Sequence, residues 1–554
     1  MSGFGYYWQV CLLTKYIFIT GGVLSGLGKG LVTCSIGKVL QVRGLSVSAI
    51  KCDPYLNVDA GTMNPYIHGE VFVLDDGYEA DMDLGTYERF LGIDLKGLNN
   101  ITSGQVYKSV IEKERRGGYL GRCVQIIPHV TDEIKRCIRL VASETGAEVL
   151  LIECGGTVGD IEGLPFLEAF RQMRLEESRG NTLLVHVTLV PVLAAVGEPK
   201  TKPTQHSVKE LRAIGLQPDI IIARIEAGPL PEEQKKKIAL YCSVEERAVF
   251  SSVDVDTVYE LPLLLERQGM GDVVCEYLGF KQANPEWSQW RGMVDRFKAP
   301  KEVVRIAMCG KYAEMADSYV SVNEALRHGG AKAGCRVEIE WIETEGFEED
   351  PSTVSKLSAF DGVLVPGGFG QRGVEGMIKA IRRCREKDLP FLGICYGFQF
   401  SVVETARDIL GLKEAHTTEC DPYTKYPVID LLPEQKGVEE LGGTMRLGSH
   451  PVIVKPGSLA HKLYGSEQIH ERHRHRWEVN PFFWERLGEA GVVFTGRSPD
   501  GKRMEILERP ENYFFFASQF HPEFKSRPWK PSPPYYGLIK ASLDKKMGRS
   551  KPEF

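Results

Sequence analysis

The sequence lacks three features that would each place the protein in a narrow class. No two of its 13 cysteines are closer than Cys384 and Cys395, so it contains neither a CxxC redox motif nor the paired cysteines of a zinc site. It has no run of about 18 consecutive apolar residues, the length that a transmembrane helix requires. Its net charge of −6 leaves no surplus of positive charge to attract nucleic acid or anionic lipid. We therefore predict a cytoplasmic protein that binds neither nucleic acid nor membranes.

The chain is too long for a single domain. Its 554 residues are several times the ~100–200 residues of a typical domain, and its content of apolar and charged residues is ordinary for a globular protein. Apolar runs with little polar alternation are typical of parallel strands covered by helices on both faces. Such runs predict two α/β domains, and they occupy residues 16–20, 149–152, 183–190 and 220–223 in the first half and 303–309, 362–365 and 391–394 in the second.

A polar stretch containing Pro285, Trp287, Trp290 and Pro300 separates the two sets of predicted strands. We place a linker there, because proline-rich polar segments commonly join domains. The end of the chain is rich in proline, lysine and serine, which is typical of disorder. The predicted organisation is an extra N-terminal segment over 1–14, a first domain over 15–281, a linker over 282–302, a second domain over 303–535 and a disordered tail over 536–554.

A glycine-rich turn follows the first predicted strand. Residues Gly21–Gly30 precede a helix-like stretch, so backbone N–H groups and the helix dipole can face an anion there. Lys29 in this turn can reach terminal phosphates. Gly30 stands where common phosphate-binding loops have Ser or Thr, so no hydroxyl at that position can bind Mg²⁺. The turn predicts a nucleoside triphosphate site whose metal ligands lie elsewhere.

Carboxylates are the expected replacement ligands, because Mg²⁺ prefers oxygen donors. Asp83 and Glu153 are the candidates, and Glu153 lies at the carboxyl end of the strand predicted over 149–152, where ligands bind in open α/β sheets. Either one alone could equally be a solvated loop acid. Lys200–Gln205 adds two cations, two hydroxyls and an amide within six residues, which suits a second phosphorylated ligand but also a solvated loop.

The second half contains the parts of an acyl-transfer site. Cys395 lies between glycines after a predicted strand, in a turn that resembles a nucleophile elbow. An isolated cysteine is usually an inert core residue, so the prediction needs a base, and His521 with Glu523 two residues later could supply one. The Gly367–Gly368 pair follows another strand and could offer N–H groups to an oxyanion.

Taken together, these motifs resemble the CTP synthase family of glutamine-dependent amidoligases, with similarity from Lys15 to about Glu523. The resemblance implies two doubly wound, three-layer α/β domains, a P-loop-like amidoligase domain and a class I glutamine amidotransferase domain. It implies ATP-dependent amination of UTP to CTP at C4 through a 4-phosphorylated UTP intermediate. The nitrogen would be ammonia, released from glutamine and channelled between the domains.

The resemblance also implies roles for individual residues. The catalytic residues would be Cys395 as nucleophile, His521 as base, Glu523 as its orienting partner, and Lys29. ATP would contact Ser25, Gly26, Leu27, Gly28, Lys29, Gly30 and Arg224. UTP, or CTP as a feedback inhibitor, would contact Ser25, Asp160, Ile161, Glu162, Lys200, Thr201, Lys202, Pro203, Thr204, Gln205 and Lys237. Glutamine would contact Gly368, Tyr396, Gly397, Phe398, Gln399, Glu419 and Arg476.

The remaining implied features concern the metal, the ammonia path and regulation. Mg²⁺ would be bound by Asp83 and Glu153, and His68 and Val71 would line the exit of ammonia. GTP would activate the glutaminase half, and Arg372 is our candidate for its effect. The family assembles as a tetramer with the UTP site at subunit contacts, and the sequence leaves filament formation open.

Two alternatives are kept. One is a cofactor-pathway amidase that joins similar domains but aminates a carboxylate; Lys200–Gln205 and the complete His-x-Glu motif argue against it. The other is a nucleotide-dependent assembly switch or filament scaffold, since related phosphate loops occur in partition ATPases. The complete thiol site argues against a pure switch.

Overall fold

A computed structural model describes residues 14–64, 69–178, 180–192, 197–226, 228–298, 300, 302–311, 316–431 and 445–554. All but the last residue of the predicted N-terminal segment 1–14 therefore lies outside the described residues, as does His68. Among the described residues, no helix has the length and apolarity needed to cross a membrane.

The strands and helices alternate along most of the chain. The strands are β1 (Lys15–Gly21), β2 (Val47–Asp53), β3 (Phe72–Val73), β4 (Glu79–Ala80), β5 (Asn100–Thr102), β6 (Val149–Cys154), β7 (Thr182–Leu189), β8 (Ile220–Arg224), β9 (Val249–Ser252), β10 (Glu302–Gly310), β11 (Cys335–Glu343), β12 (Gly362–Val365), β13 (Phe391–Ile394), β14 (Ala415–Thr417), β15 (Tyr426–Leu431), β16 (Arg446–Val454), β17 (Gln468–His475), β18 (Trp477–Val479), β19 (Val493–Arg497), β20 (Met504–Glu508) and β21 (Phe515–Ser518).

The α-helices vary from five to fifteen residues. They are α1 (Lys29–Gln41), α2 (Met82–Leu91), α3 (Ser103–Arg115), α4 (Thr131–Thr145), α5 (Leu164–Glu176), α6 (Lys202–Ala213), α7 (Glu232–Cys242), α8 (Leu261–Arg267), α9 (Met270–Tyr277), α10 (Ser288–Lys298), α11 (Val320–Ala333), α12 (Glu345–Glu349), α13 (Val374–Glu386), α14 (Tyr396–Asp408), α15 (Leu459–Tyr464), α16 (Trp484–Glu489) and α17 (Pro533–Lys546).

The described residues divide into two compact units. The first unit comprises the chain up to Val58 together with Thr86–Ile93 and Leu98–Arg291, and the second comprises Asp59–Gly85, Asp94–Gly97 and Gly292–Phe554. The boundary at Arg291 falls inside the predicted linker. Asp59–Gly85 and Asp94–Gly97 come from the first half of the chain but belong to the second unit. This was not predicted, because nothing in their local sequence indicates which core they pack against.

The first unit is built on a parallel sheet of seven strands in the order β5-β2-β6-β1-β7-β8-β9. Its central strands are buried along nearly their whole length because helices cover both faces. β1 pairs with β6 on one side and β7 on the other, so the chain crosses over in opposite directions from this point. The carboxyl end of β1 is therefore a topological switch point, where α/β sheets bind ligands.

The second unit contains a mixed sheet of nine strands in the order β11-β10-β12-β13-β21-β20-β19-β16-β17. The first five strands are parallel, and the remaining neighbours are antiparallel. Apolar clusters pack on both faces of this sheet. β13 and β21 are direct neighbours, with Ile394 opposite Ser518, so the turns that follow them emerge side by side. The predicted α/β class with two layered domains is confirmed.

The prediction of a disordered tail over 536–554 is wrong. Residues 533–546 form α17, which packs against α11 and buries Tyr535, Leu538 and Ile539 in the core of the second unit. Two prolines stand at the start of this helix, where a missing N–H costs nothing. The polar composition of the tail therefore led to the wrong prediction, although its apolar residues form one buried face of a helix.

Candidate functional site

The glycine-rich turn of the first unit joins β1 to α1. Gly26 and Gly28 have φ values of 76° and 83°, in the left-handed region that residues other than glycine rarely adopt. Ser25 and Gly26 are exposed, and Leu27 is buried beneath the turn. Lys29 opens α1 and its Nζ donates to the carbonyl of Gly156 at 2.8 Å, in the turn after β6. The turn thus has exposed backbone and a lysine at the switch point.

A buried histidine under this turn was missed by the sequence analysis. His186 on β7 hydrogen bonds with Thr20 Oγ1 at 2.9 Å through Nδ1 and with Ser207 Oγ at 2.8 Å through Nε2. Burial, and then the charge of Lys29, lowers the pKa of His186 to about 3, so the ring is neutral. It ties the end of β1 to β7 and α6. A lone histidine within an apolar strand belongs to no motif. Its position in the second half of β7 is the signal that could have identified it as a candidate.

Glu153 is the next-to-last residue of β6, lies in a buried polar cluster and is only 1% exposed. Its carboxylate contacts the Tyr87 hydroxyl, Thr33 Oγ1 at 3.3 Å and Lys51 Nζ at 3.4 Å. Lys51 and Tyr87 were not predicted, because single residues on β2 and α2 offer no local pattern. The cluster places a carboxylate near the carboxyl end of β6, at the edge where open α/β sheets bind ligands.

Asp83 lies half-buried in the first turn of α2, and its N–H donates to Asp81 Oδ1 at 2.9 Å. It falls in the second unit and Glu153 in the first. No group of three or more His, Cys, Asp or Glu side chains arranged to hold a metal ion occurs among the described residues. Asp83 and Glu153 remain candidate Mg²⁺ ligands because carboxylate oxygens are donors that Mg²⁺ prefers.

The predicted polar stretch 200–205 spans the start of α6 and is more enclosed than its composition suggests. Thr201 and Thr204 are buried, and Thr204 Oγ1 donates to the carbonyl of Leu189 at 3.1 Å. Gln205 Nε2 donates to Thr201 Oγ1 at 3.1 Å. Lys200 pairs with Glu198 at 2.7 Å, and the Lys202 ammonium lies 5.8 Å from the Tyr241 ring centroid. Pro203 stands in the first turn of the helix. The threonine hydroxyls therefore hydrogen bond within the protein. Lys200 and Lys202 remain the candidates for contact with a phosphorylated ligand.

The other predicted nucleotide contacts of the first unit lie on turns and helix faces. Asp160 Oδ2 accepts a hydrogen bond from the N–H of Thr157 at 2.8 Å, and Ile161 is 80% exposed. Glu162 and Lys237 are also exposed. Arg224 ends β8 and forms an ion pair with Asp254. These residues are accessible to ligand, and no direct contact joins them to Lys29 in this structure.

Cys395 occupies a sharp corner between β13 and α14. Its φ of 50° lies in the left-handed region, which is strained for a residue with a side chain, and the thiol is 5% exposed. The flanking glycines make the corner possible: a Cβ on Gly397 would lie 2.3 Å from the Val365 carbonyl oxygen, and one on Gly393 would lie 2.9 Å from the Gly397 backbone. The arrangement is that of a nucleophile elbow.

His521 and Glu523 complete a triad with this thiol. His521 Nδ1 lies 2.7 Å from Glu523 Oε1, and His521 lines the same cavity as Cys395. Glu523 is buried, and its other oxygen accepts a hydrogen bond from the Tyr535 hydroxyl at 3.3 Å. Burial lowers the pKa of His521, but Glu523 and Cys395 outweigh it and raise the pKa to about 10. The ring is therefore held protonated beside the sulfur.

The Gly367–Gly368 pair lies beside the triad. A Cβ on Gly367 would stand 2.7 Å from His521 Cε1, and one on Gly368 would stand 3.4 Å from Tyr396 Cδ1. Only glycine fits at the first position without displacing the histidine. The first amides of α14, directly after Cys395, have no carbonyl partner within the helix. Both sets of N–H groups are close to the thiol and can face a developing oxyanion.

The other predicted glutamine contacts lie in the first turn of α14, directly after Cys395, and on turns after β14 and β17. Gln399 Nε2 donates to the Trp477 carbonyl at 3.2 Å, and Glu419 Oε1 accepts from the Gly370 N–H at 2.7 Å. Burial raises the pKa of Glu419, against the opposing effects of Gly370 and Lys311. Arg476 is half-buried between β17 and β18, and Phe398 is buried inside α14.

Two residues near these side chains were not predicted from the sequence. Lys311, buried after β10, donates to the Phe369 carbonyl at 2.7 Å, and its ammonium lies 4.8 Å from the Tyr396 ring centroid. Burial lowers its pKa to about 8, against the opposing effects of Cys420 and Glu419. Gln519 Nε2 lies 3.6 Å from Cys395 Sγ. Both follow strands that end at the same sheet edge as β13, which is the signal that could have identified them.

A cavity in the second unit opens onto the thiol. Its walls include residues of the N-terminal half as well as the triad. The lining residues are Glu70, Val71, Ser318, Tyr319, Val322, Gly367, Gly368, Phe369, Cys395, Arg474, His521, Glu523 and Phe524. Val71, predicted to line the exit of ammonia, is thus placed in the same cavity as Cys395.

Comparisons with known proteins agree across the chain. The family model described as CTP synthase N-terminus matches residues 15–280, and that described as glutamine amidotransferase class-I matches residues 314–541. A solved Trypanosoma brucei CTPS glutaminase domain with bound acivicin covers 45% of this chain and 96% of its own, at 32% identity and a TM-score of 0.42.

Full-length relatives extend the similarity over both halves. A CTP synthase of Pyrococcus furiosus is 57% identical over 539 residues, covering 97% of this chain and 99% of its own. A CTP synthase of Methanopyrus kandleri is 57% identical over 530 residues, covering 95% and 99%. With both halves matched and more than half of the residues identical over nearly the full length, the chain belongs to the CTP synthase family.

Proposed function

We propose that the protein converts UTP to CTP with ATP and with nitrogen from glutamine. The observation that carries this proposal is the strained Cys395 elbow, which shares a cavity with His521, a histidine that a buried glutamate keeps protonated. A thiol site of this kind releases ammonia from an amide. Membership of the CTP synthase family indicates that UTP is the molecule that accepts this ammonia. The carboxylate-aminating amidase and the assembly switch are less favoured, since the relatives that match the whole chain are CTP synthases.

The glutaminase steps follow from the geometry of the triad. The Cys395 sulfur, as a thiolate whose proton is held by His521, attacks the amide carbon of glutamine to form a C–S bond, and the amides near Gly368 and Tyr396 stabilise the oxyanion. His521 donates its proton to the departing nitrogen, the C–N bond breaks, and ammonia leaves a thioester. Water then attacks the thioester with His521 accepting its proton, the C–S bond breaks, and glutamate is released with the Cys395 thiolate and the protonated His521 restored. Glu523 keeps the ring oriented throughout.

Glutamine selection is assigned to the polar rim of the same pocket. Glu419 and Arg476 carry opposite charges that suit the α-amino and α-carboxylate groups of the substrate. Gly368, Tyr396, Gly397, Phe398 and Gln399 form the adjoining backbone and walls. Glutamine lacking either charged group should therefore bind weakly.

The phosphate chemistry is assigned to the first unit. ATP binds to the turn formed by Ser25, Gly26, Leu27, Gly28, Lys29 and Gly30, with Arg224 beside its base, and Lys29 neutralises charge on the transferred phosphoryl group. UTP, or CTP as inhibitor, binds near Asp160–Glu162, Lys200–Gln205 and Lys237. Transfer of the γ-phosphoryl group to O4 of UTP makes that oxygen a leaving group, and ammonia displaces phosphate at C4.

Glu153 fits a magnesium site, because its buried carboxylate lies at the ligand-binding edge of the sheet and supplies oxygen donors. We assign Glu153 and Asp83 to Mg²⁺. When bound, Mg²⁺ would neutralise charge on the triphosphate. Lys51 and Tyr87 hold the Glu153 carboxylate in place for that role.

Ammonia passage, regulation and assembly complete the proposal. His68 and Val71 would line the path of ammonia, which must exclude water because ammonium is not a nucleophile. GTP would activate glutamine hydrolysis through Arg372, whose guanidinium donates to the Lys311 carbonyl and lies 3.4 Å from Glu345. The protein would act in the cytoplasm as a homotetramer inhibited by CTP.

The direct test supplies ATP, UTP, Mg²⁺ and glutamine and follows CTP by absorbance, with and without GTP. CTP formation that requires all four components supports the proposal. Amination of a carboxylate with no CTP would favour the amidase, and ATP turnover without amination would favour the switch. GTP should accelerate the reaction with glutamine and leave the reaction with ammonium unchanged.

Replacing Glu523 with Gln should shift the pH dependence of glutamine hydrolysis. The carboxylate raises the pKa of His521, so its loss lets burial lower that pKa, by at least about one unit for a charge at this distance. The ring must be protonated to donate to the departing amide nitrogen, so the alkaline decline should begin at correspondingly lower pH.

Glutamate release measured across pH for the parent and Glu523→Gln checks this shift. Exposed Glu485 of the same unit supplies the control, and Glu485→Gln should keep the parent profile. An unchanged alkaline limb in Glu523→Gln would contradict the assigned role of the carboxylate.

A further inference from the structure

A short hairpin from the N-terminal half forms part of the thiol cavity. Residues 69–80, which contain β3 and β4 and which we call the docked hairpin, belong to the second unit. Glu70 and Val71 line the cavity that contains Cys395 and His521. Glu70 accepts hydrogen bonds from the N–H of Ser321 at 3.1 Å and from its hydroxyl at 2.5 Å, at the start of α11. The wall of the glutaminase pocket is therefore completed by a segment distant in sequence.

Asp75, at the tip of the docked hairpin, is held by two cations. Arg472 of β17 is fully buried, pairs with Asp75 through Nε, and donates from Nη1 to the Val73 carbonyl at 3.1 Å. Lys525 Nζ lies 3.4 Å from the second Asp75 oxygen. The Asp75 carbonyl also accepts from the Ser449 N–H at 2.9 Å. Arg472 is at 0% exposure and its Nη2 also lies 3.6 Å from Asp94, so two carboxylates share the buried guanidinium. Its bonds to Asp75 and Val73 fix where the hairpin sits.

The residues that hold Asp75 also hold the triad. The Arg472 carbonyl accepts a hydrogen bond from the backbone N–H of His521 at 2.8 Å. Cys395 Sγ lies 3.8 Å from the carbonyl of Arg474, two residues along β17, and Arg474 pairs with Glu79 of the docked hairpin at 2.8 Å. Lys525 follows Glu523 by two residues in the same short helix. One strand therefore contacts the catalytic sulfur, the catalytic histidine and the hairpin.

We propose that Asp75 is a positioning residue for glutamine hydrolysis, which acts through Arg472 to keep the docked hairpin closed over the thiol cavity. The pair retains ammonia in the cavity and keeps the backbone under His521 in place. This inference rests on the proposed glutaminase function of Cys395. Asp75 is 36% exposed and contacts neither the sulfur nor the histidine, so its effect passes through the pair.

The test uses the full-length chain with Asp75→Asn, which keeps the size of the side chain and removes its charge. Glutamate release, CTP formation from glutamine and CTP formation from ammonium are measured in parallel. We expect the ratio of glutamate to CTP to rise at least about threefold, with ammonium-dependent synthesis within about twofold of the parent. Asp75→Glu, which restores the charge, should return the ratio toward the parent value.

Asp76→Asn is the matched control. Asp76 is adjacent, and within the described part of the chain it accepts backbone N–H groups from Tyr78 through Oδ1 at 3.2 Å and from Gly97 through Oδ2 at 2.7 Å, so asparagine keeps one of these two hydrogen bonds. This variant should keep the parent ratio. A parent ratio in Asp75→Asn, or an equal loss of ammonium-dependent synthesis, would overturn the proposal, since the first shows no role and the second a merely structural one.

A second measurement does not depend on turnover. The rate at which iodoacetamide alkylates Cys395, followed by mass spectrometry of its peptide, should rise about threefold or more in Asp75→Asn and stay unchanged in Asp76→Asn. If Asp75→Asn is insoluble, Lys525→Gln removes only the outer partner and should shift both readouts in the same direction. If the parent releases glutamate but makes no CTP, the proposed synthase function fails while the alkylation result still decides the role of Asp75.

Discussion

Replacing Cys395 with Ala should lower CTP formation from glutamine by at least about 10³-fold, because no other group at this corner can form the thioester. CTP formation from ammonium should stay within about twofold of the parent, since the phosphate chemistry uses other residues. The side chain is small and sits in a preformed corner, so alanine should disturb the fold little. Parallel assays with glutamine and with ammonium measure both expectations.

Cys384→Ala is the control for this substitution. Cys384 is a buried thiol of the same unit, in the apolar cluster on one face of the sheet and outside the cavity lining. Its loss should cost some stability but leave both activities in place. Equal loss of glutamine-dependent and ammonium-dependent synthesis in Cys395→Ala would contradict the division of chemistry between the two halves.

Replacing Lys29 with Ala should lower CTP formation from either nitrogen source by about 10²-fold or more, the effect expected when one preorganised charge at a transferring group is lost. The lysine is the first residue of α1 at the switch point, and among the described residues its Nζ donates to the Gly156 carbonyl, a neutral acceptor that a phosphate can replace at little cost. Glutamate release measured without nucleotides should be unaffected. Steady-state assays of each activity check the three expectations.

Lys236→Ala supplies the matched control, because Lys236 is a solvent-exposed lysine of the same unit. It should behave as the parent in every assay. Ammonium-dependent synthesis near the parent rate in Lys29→Ala would show that the lysine does not serve phosphoryl transfer.

The sheet cores could be predicted because buried parallel strands leave nearly continuous apolar runs. The predictions over 362–365 and 391–394 coincide with β12 and β13, and those of the first half differ from the structure by a few residues at most. The triad was also predictable, since a thiol between glycines and a His-x-Glu motif each follow a strand, and β13 and β21 pair. Local pattern and strand order were sufficient there.

Other features depend on long-range packing that no local pattern encodes. The docked hairpin joins the second unit through Arg472, nearly 400 positions away, and composition alone could not assign it. Lys311 and Gln519 were missed because a single residue after a strand has no motif around it. The tail was mispredicted because its content of lysine and serine was considered without the spacing of the apolar residues that form the buried face of α17.

The central claim is that nitrogen released at Cys395 is the nitrogen that enters CTP. The most direct measurement gives the enzyme glutamine labelled with ¹⁵N in its amide, together with ATP, UTP and an excess of unlabelled ammonium, and determines the label in the 4-amino group of CTP by mass spectrometry. We predict that the label in CTP greatly exceeds its share of the free ammonium pool. Label no higher than that share would contradict the account, since ammonia would then reach the nucleotide only through the solvent.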